Sequence, residues 1–403
     1  MRQESYRDYY CAGGFADIRP GEKLNDKYFV IKKLGWGTFS TVWLCWHVEK
    51  NRFRALKVVK SAGCHKTTAI NESQMLKLCK EEKEIVKFHE LFTIEKDGYE
   101  HMVLVTEVLG CSLLKVMRGI DYEDVTSEAL RQRRTETRAV AEGILRGLRA
   151  LQRCDAIHGD IKPENILFTK PRLEMCDEAL EMLEKILLEE DLPADSICAN
   201  GKSSRIELSR NKRGEFKEIQ SQIRKYKHKI EGLNEEDETI LKLADLGSST
   251  TLNGHRPRDV IQTLEYRSPE VITMSGYDYS ADVFSAGCVL FEFATGAHLF
   301  HGVEEGATEQ LTRMNLVIEE LQGHPFRKGN CYQHLFKADG TLRRRHEFQS
   351  DEPVPLHLRR QLTDVYGWSE FHARRFADFL LPMLRLDPAK RTTPEDHLRH
   401  SWL

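Results

Sequence analysis

The sequence predicts an α+β protein in which a small β-rich amino-terminal region is followed by a larger, mainly helical carboxy-terminal region. Apolar runs of strand-like composition are concentrated between residues 28 and 108. After Gly110 the apolar residues recur at helical spacing, and residues 170–239 have the pattern of a charged helical insert. We therefore divide the chain into an arm at residues 1–23, the β-rich region at 24–109, and the helical region at 110–403, interrupted at 170–239.

Composition and charge limit the class of protein. With 403 residues, of which 40% are apolar, the chain can bury a full core and form two or three domains. Its formal net charge is only -3, from 60 Lys and Arg against 63 Asp and Glu, so we expect no direct nucleic-acid partner and no membrane partner. The ten cysteines are scattered singly and no long apolar run occurs, which predicts a soluble, non-secreted, intracellular protein with reduced thiols.

The first strands enclose a glycine-containing turn. Glycines and Pro20 among polar and aromatic residues favour an extended arm over residues 1–23, rather than a packed element. Strand-like segments at residues 28–31 and 34–44 follow, with Gly35 and Gly37 in the turn of a hairpin. Because a glycine has no Cβ, the backbone of this turn can closely approach phosphate oxygens. A lone pair of glycines at this spacing is weak evidence by itself.

One lysine lies inside the next apolar strand, residues 53–59. A buried ammonium group destabilises the fold unless it is paired with an anion, so Lys57 needs a partner. Glu72 precedes Met75 and Leu76 on a helical pattern and is the predicted partner. The alternative is that Glu72 is a solvated charge on the surface of its helix.

Two further strands, residues 90–94 and 101–108, complete a small sheet. Past Gly110 an amphipathic helix is predicted by apolar residues at spacings of four, four and three. These residues are Val140, Ile144, Leu148 and Leu151. The helix leads directly into the most informative stretch of the chain.

That stretch, Ile157 to Phe168, places three chemically useful groups within six positions. Asp160 is a potential proton acceptor, Lys162 is a fixed positive charge, and Asn165 carries an amide that can bind a metal ion. A loop with these groups can handle a hydroxyl and a phosphate at once. An ordinary strand-turn-strand with surface charges is the alternative.

Two amphipathic helices are predicted within the charged insert. The first carries Leu180, Leu183 and Leu187 with Met182 and Ile186. The second has a seam of period 3.5, formed by Phe216, Ile219, Ile223, Tyr226, Ile230 and Leu233. The two helices could pack as a hairpin, lie on one lobe of the protein, or form a short coiled coil with a partner. The seam is shorter than a coiled coil usually needs, which favours the first two arrangements.

Taken in order, these segments resemble those of protein kinases, and specifically of the SR-protein kinase family, which phosphorylates serines in arginine-serine-rich segments of splicing factors. The resemblance covers about residues 24–403 and is carried by residues 33–44, 107–110, 160–167, 244–247, 259–268 and 378–384. Trp36 in the glycine turn and the A-D-L-G sequence at 244–247 distinguish it from most kinases. In this family an insert typically lies between the catalytic loop, here residues 157–168, and the magnesium loop, here residues 244–247.

The resemblance implies a bilobal protein kinase fold with ATP and Mg²⁺ as cofactors. Thr106 would be the gatekeeper, the backbone of Glu107 and Leu109 would bind adenine, and Lys57 would contact the phosphates. Ser40 replaces the third glycine of the common phosphate loop. The implied nucleotide-binding set is Leu34, Gly35, Trp36, Gly37, Val42, Ala55, Lys57, Glu72, Thr106, Glu107, Leu109 and Leu167.

The resemblance also implies a division of catalytic roles. Asp160 would orient a substrate hydroxyl and accept its proton, and Lys162 would neutralise charge on the moving phosphoryl group. Asn165 and Asp245 would hold magnesium. Lysine two positions after the aspartate favours serine or threonine over tyrosine substrates.

Further contacts follow from the same resemblance. Thr263 would reach Asp160 and Lys162. Asp282, at the start of a helix that is apolar nearly all round, would cap the backbone of the catalytic loop. Glu270 would be buried against Arg391, far downstream in the sequence.

Two departures from the kinase pattern bear on regulation and substrate choice. Gly159 replaces the basic residue that many kinases place before the aspartate, so we hypothesise that activity does not require a phosphorylated activation loop. An acidic docking groove is expected after Gly296. Its candidate acids, Glu304, Glu305, Glu309, Glu319 and Glu320, are diluted by Ala297 and Arg313, so a shifted substrate preference stays open.

From the sequence we expect a monomeric serine/threonine kinase that acts on arginine-serine-rich proteins, is linked to mRNA splicing, and is found in the cytoplasm and the nucleus. One alternative is a related dual-specificity or cyclin-dependent-like kinase of the CMGC type that recognises another motif. The second is a weakly active pseudokinase that binds partners through its insert helices.

Overall fold

The structure is a computed structural model that describes residues 10–192, 206, 208–232, 239–252, 259–300, 306–318, 321–343 and 357–403. The chain forms two compact units. The first contains Met1–Gly110 and Phe168–Ile240, and the second contains Cys111–Leu167 and Leu241–Leu403. The insert therefore belongs to the first unit. In the described part of the chain, no helix combines the length and apolarity needed to span a membrane.

The first unit is built on an antiparallel sheet. Its strands lie in the order β1-β2-β3-β4-β6-β5, and the helix α1 connects β4 to β5. These elements are β1 (Lys23–Leu24), β2 (Tyr28–Trp36), β3 (Ser40–His47), β4 (Arg52–Val59), α1 (Gly63–Leu78), β5 (Phe88–Lys96) and β6 (Tyr99–Thr106). Alternating side chains give the sheet two apolar faces, since β2 to β4 contribute buried residues to two separate clusters.

Part of the amino-terminal arm is packed, contrary to the prediction of an extended arm. Phe15, Ala16 and Ile18 are buried, and the latter two join the cluster on one face of the sheet with Val30 and Trp43. The glycines and the proline of this segment led us to predict an extended conformation. Burial of its apolar side chains outweighs them, because each such side chain contributes to the core.

The insert forms a helical hairpin on the other face of the sheet. Its helices, α4 (Arg172–Leu187) and α5 (Arg210–Glu231), pack against each other. They share one apolar cluster with strand residues that include Phe29, Leu44 and Trp46. Two of the three predicted arrangements, the hairpin and the helices lying on a lobe, are thus both present. Leu233 lies outside the described residues.

The second unit is mainly helical, with short strands between its helices. Its α7 is buried along nearly its whole length, as predicted. The elements that follow β6, apart from the insert, are β7 (Leu109–Ser112), α2 (Leu113–Met117), α3 (Ser127–Arg153), β8 (Ala156–Ile157), β9 (Ile166–Thr169), β10 (Leu241–Leu243), β11 (Thr250–Thr251), α6 (Pro269–Ile272), α7 (Ser280–Thr295), α8 (Ala307–Val317), α9 (Tyr332–Leu335), α10 (Leu358–Arg360), α11 (Glu370–Leu380) and α12 (Pro394–His397).

Candidate active site

The predicted pairing of Lys57 with Glu72 is present in the first unit. Lys57 lies on β4, opposite Val42 on β3, and its Nζ is 2.9 Å from Oε1 and 2.8 Å from Oε2 of Glu72 on α1. Glu72 is buried while Lys57 is half-buried. A buried carboxylate needs a cation as its partner, and Lys57 supplies it.

The glycine turn lies at the end of the same sheet. Gly35 pairs with Val42, Trp36 pairs with Thr41, and the Gly37 N–H donates to the Ser40 carbonyl at 2.9 Å, which closes the hairpin. A Cβ added to Gly35 or Gly37 would meet no atom within 4 Å. The fold itself does not require glycine at these positions, so the open backbone fits a ligand that approaches closely.

Thr106 and Glu107 lie at the end of β6, where Thr106 pairs with Ala55. The Glu107 N–H donates to the Lys87 carbonyl at 2.9 Å, and its Oε1 accepts from the Lys87 N–H at 2.7 Å. Because this N–H is engaged, an adenine contact at Glu107 would use its carbonyl oxygen, which also accepts from the Thr106 hydroxyl at 3.1 Å.

In the second unit, three side chains converge on the carboxylate of Asp160. Oδ1 accepts from the Thr263 hydroxyl at 2.6 Å and from the Thr263 N–H at 3.2 Å. Oδ2 lies 2.7 Å from Lys162 Nζ and accepts from Asn165 Nδ2 at 3.2 Å. Lys162 also donates to the Thr263 hydroxyl at 3.1 Å. The structure thus brings together the catalytic residues predicted from the 157–168 stretch, with Thr263 where the resemblance implied it.

The backbone of the loop is held by Asp282, at the start of α7, as predicted. Its Oδ2 accepts from the His158 N–H at 2.6 Å and its Oδ1 from the Gly159 N–H at 2.9 Å. The pKa of the Asp282 carboxyl is raised by burial. His158 Nδ1 accepts from the Asp160 N–H at 3.2 Å, so Nε2 carries the proton and donates to the Ala244 carbonyl at 3.1 Å.

Asp245 is the residue after Ala244, whose N–H donates to the Asn165 carbonyl at 2.9 Å. This hydrogen bond holds the backbone before Asp245 next to Asn165. Asp245 has left-handed backbone dihedrals, φ 61° and ψ 62°, and its side chain is exposed. The Asn165 amide nitrogen donates to Asp160, which leaves its oxygen to bind a cation. Amide and carboxylate oxygens are ligands that Mg²⁺ prefers, so the pair fits this metal.

In the described ranges, no larger protein-only metal site competes with this pair. Among the residues that the structure describes, no three His, Cys, Asp or Glu side chains are grouped to hold a metal ion. A metal held by Asn165 and Asp245 would therefore take further ligands from phosphate and water, the usual arrangement for Mg²⁺ in phosphoryl-transfer enzymes.

Gln262 has a positioning role that the sequence reasoning missed. Its N–H donates to the Gly159 carbonyl at 2.8 Å, and its Nε2 donates to the Ala281 carbonyl at 2.8 Å. Its Oε1 accepts from the Ser268 N–H at 2.9 Å. Gln262 is buried and thus ties the end of the activation segment, the stretch that runs from the A-D-L-G sequence to Glu270, to the catalytic loop and to α7. A single glutamine between Ile261 and Thr263 gave no signal of this role.

Glu270 and Arg391 form the buried pair that was predicted. The two guanidinium nitrogens lie 2.5 and 2.7 Å from the two carboxylate oxygens. Arg391 also donates to the carbonyls of Arg385 and Ser280, at 2.7 and 3.0 Å. A pair with this many hydrogen bonds is satisfied as a unit and becomes costly when one partner is removed.

One predicted member of the acidic docking groove, Glu309, is wrong. Glu309 is only 3% exposed and lies 2.8 Å from Arg313, which is 7% exposed. Glu309 therefore serves an internal ion pair and not a surface for arginine-rich peptides. Ala297 follows Gly296, the residue that caps the end of α7. Glu304, Glu305, Glu319 and Glu320 lie outside the described residues.

Comparisons with known proteins agree with this geometry. A family model described as "Protein kinase domain" matches residues 28–180 and 232–403. The serine/threonine-protein kinase SRPK of Physarum polycephalum is 31% identical and covers 98% of this chain and 90% of its own length. The SRSF protein kinase 3 of Homo sapiens is 27% identical, and the match covers 100% of this chain and 90% of the length of that kinase.

Another relative, the serine/threonine-protein kinase spk-1 of Caenorhabditis elegans, is 27% identical, and this chain spans 50% of its length. A solved kinase-domain structure matches with a TM-score of 0.63 at 24% identity. The match covers 96% of this chain and 98% of the chain in that structure. This structural likeness supports the fold alone.

Proposed function

Because this chain belongs to the SR-protein kinase family of protein kinases, we propose that it transfers the γ-phosphoryl group of ATP to serines in arginine-serine-rich segments of other proteins. The observation that carries the proposal is the fixed carboxylate of Asp160, contacted by Lys162, Asn165 and Thr263. Phosphoryl transfer needs positioned groups more than covalent participation by the protein, and this loop supplies them.

The contacts of Asp160 assign a role to each neighbour. Thr263 and Asn165 fix the two carboxylate oxygens, so the carboxylate can orient a serine hydroxyl and accept its proton as the new O–P bond forms. Lys162, 2.7 Å from Asp160, can neutralise charge on the transferring group while the bond to the ADP oxygen breaks. Asp282 and Gln262 support these groups by holding the backbone of the loop.

ATP and Mg²⁺ are proposed as the cofactors. In the first unit, the open backbone at Gly35 and Gly37 and the Glu72-paired Lys57 fit a polyphosphate. In the second unit, Asn165 and Asp245 offer the oxygen ligands for the metal. Magnesium would supply charge neutralisation on the phosphates when bound.

The substrate class rests on the names of the relatives, one of which is called an SRSF protein kinase. Basic substrates require acidic contacts, and Glu309 cannot supply one because Arg313 neutralises it inside the fold. Other acids must therefore select the substrate. We expect binding of an arginine-serine peptide to weaken as salt is raised, since screening reduces attraction between exposed charges.

The test is phosphate incorporation into an arginine-serine peptide with ATP and Mg²⁺. Asp160→Asn is expected to lower kcat by about 10²–10⁴-fold, the range for loss of a general base. Asp97→Asn is the matched control, because Asp97 lies in an exposed turn whose left-handed φ asparagine tolerates.

The outcomes separate the alternatives. Incorporation into another peptide motif but not into arginine-serine repeats would favour the dual-specificity or cyclin-dependent-like alternative. No incorporation into any peptide, with ATP still bound, would favour the pseudokinase. An Asp160→Asn variant that kept full turnover would remove Asp160 from the mechanism.

A further inference from the structure

A cavity lies entirely within the first unit, between the sheet and the insert. It measures about 990 Å³ and is lined by the β3–β4 turn, the start of α4 and the end of α5. Glu107 is the one residue that it shares with the nucleotide-binding set predicted above. This volume is far larger than a single bound ion requires and is at the upper end for small-molecule pockets.

The lining of this cavity, which we call the insert pocket, is strongly cationic. Lys50 lies in the β3–β4 turn, and Arg52 and Arg54 lie on β4. Lys225 and Lys229 lie one helical turn apart on α5. The cations thus approach the pocket from two different elements and are spread around it.

The charges of these five cations are not neutralised by any carboxylate in the part of the chain that the structure describes. Within the described part of the chain, none of them lies in an ion pair with a carboxylate, and Arg54 donates only to the Phe53 carbonyl, at 2.7 Å. Lys50, Arg52, Lys225 and Lys229 are exposed. Unpaired charges of one sign in a concave site raise the local potential and attract ligands of the opposite sign.

The pKa of a neighbouring histidine is affected by the same positive charges. Burial first, and then the charges of Arg54, Lys87, Lys50 and Arg52, lower the pKa of His89 to about 4. Burial and the neighbouring Arg52 likewise lower the pKa of Arg54. Two groups therefore carry the electrostatic signature of crowded positive charge at this end of the sheet.

The pocket also has an apolar part. Phe53 and Met175 are buried, and Tyr226 is half-buried with its ring packed edge-on against those of Trp46 and Phe53. A ligand that fills the pocket must therefore combine several separated negative charges with an apolar group. A compact phosphate would instead need donors that converge on one point.

We propose that the insert pocket binds an acidic segment of a partner protein that also carries an aliphatic or aromatic side chain. Carboxylates spaced along a peptide would meet the cations of the turn and of α5, while the apolar side chain would rest on Phe53, Met175 and Tyr226. The site makes the insert a recognition element, and the binding does not depend on phosphoryl transfer.

The test is a binding titration with the full chain and no ATP. The probe is a short fluorescein-labelled peptide in which Glu alternates with Leu, and its counterpart has Gln for every Glu. We expect the acidic probe to bind and the Gln peptide to bind at least about tenfold more weakly. The double variant Lys225→Glu, Lys229→Glu should lose at least about tenfold in affinity for the acidic probe.

The matched control is Lys217→Glu with Arg224→Glu, which reverses two exposed charges on the same helix outside the pocket. Its affinity should change by less than about threefold, since exposed charges farther from the ligand are screened. Both variants should retain wild-type phosphorylation of a short arginine-serine peptide, so failure of this proposal is distinguishable from failure of the proposed kinase activity.

Four results would overturn the proposal. The first is equal binding of the acidic and Gln peptides, and the second is an equal loss of affinity in the pocket and control variants. The third is tighter binding of a single-stranded RNA or a phosphopeptide than of the acidic probe. A fourth arm neutralises the run Glu235, Glu236, Asp237 and Glu238. If this change made the probe bind at least about tenfold tighter, the occupant would be this chain itself and not a partner.

Discussion

Gly159 shows how one residue sets the geometry of the catalytic loop. Its φ is +76°, and an added Cβ would meet the Ser248 carbonyl oxygen at 3.0 Å. The missing basic residue before Asp160 thus has a steric reason, because any side chain here would be strained and would press on neighbouring backbone.

We expect Gly159→Ala to lower both stability and kcat. Left-handed φ at a non-glycine residue costs about 1–2 kcal/mol, and relief of the contact with Ser248 would displace Asp160. Gly98→Ala is the control, since Gly98 has φ +78° in a turn where a Cβ has open space. Urea unfolding should show a loss in both variants, whereas peptide phosphorylation should fall only in Gly159→Ala.

Removing one charge of the buried pair of Glu270 and Arg391 should strongly destabilise the protein. Glu270→Gln leaves the Arg391 guanidinium without its charge partner, and removing one member of a buried pair costs about 3–5 kcal/mol. The control variant is Glu128→Gln, which removes the carboxylate of the exposed pair with Arg131. We expect little change in the free energy of unfolding of this variant. Equal midpoints of urea unfolding for the two variants would contradict this expectation.

His397 predicts a pH dependence of stability. It is buried, its Nε2 is 2.7 Å from the Phe379 carbonyl, and burial lowers its pKa from 6.5 to about 4. Above pH 6.5 the side chain is neutral in both states. Between 6.5 and about 4 only the unfolded chain binds the proton, so the free energy of unfolding falls as pH falls.

His397→Gln should remove this contribution. Between pH 7 and pH 4.5 we expect the free energy of unfolding of the wild type to fall by roughly 2 kcal/mol more than that of the variant. Unfolding by urea at the two pH values measures the difference. Parallel pH profiles for the two proteins would show that His397 titrates normally in the fold.

At the scale of elements, the insert hairpin completes the core of the first unit. Phe216 on α5 is buried and meets the Phe29 ring edge-on, with centroids 5.0 Å apart. Trp46 Nε1 donates to Gln222 at 2.9 Å, and Lys32 pairs with Glu178 at 2.9 Å. The insert therefore covers a sheet face whose aromatic side chains would otherwise contact water.

Phe216→Ala should destabilise the protein by about 3–5 kcal/mol, the usual range for truncating a buried phenylalanine. Leu188→Ala, at an exposed position beside α4, should change stability little. Thermal unfolding followed by near-ultraviolet circular dichroism compares the two. An unchanged midpoint for Phe216→Ala would show that the hairpin is dispensable for the core.

The sequence pattern predicted both insert helices but not the surface that they cover. Periodic apolar residues such as Ile219 and Ile223 reveal that a helix has a buried face, whereas the identity of the opposing face depends on long-range packing. For the same reason the burial of Phe15 and Ile18 was missed, since local glycines pointed to an extended arm.

At the scale of the whole molecule, the structure supports turnover without a phosphorylated activation segment. Gly159 offers no cation for a phosphate, and Gln262 instead holds the segment through neutral hydrogen bonds to Ala281 and Ser268. We expect phosphatase-treated protein to keep its kcat on an arginine-serine peptide, with mass spectrometry confirming removal of phosphate. Loss of all turnover after this treatment would refute the hypothesis.

The site was predictable where chemistry is encoded locally. Asp160, Lys162 and Asn165 lie within one loop, and Lys57 stands out as a charge in an apolar strand. Gln262 and Glu309 were respectively missed and misassigned, because a buried polar side chain is recognised only by its partners.

The sheet of the first unit and the hairpin that covers it are separated in the chain by residues 111–167. On the ribosome, the face bearing Phe29 and Trp46 therefore emerges long before α5 has been synthesised. A nascent chain must expose this aromatic surface until translation has passed Glu231. Slowing elongation before that point should prolong the interval in which the newborn protein is prone to aggregate.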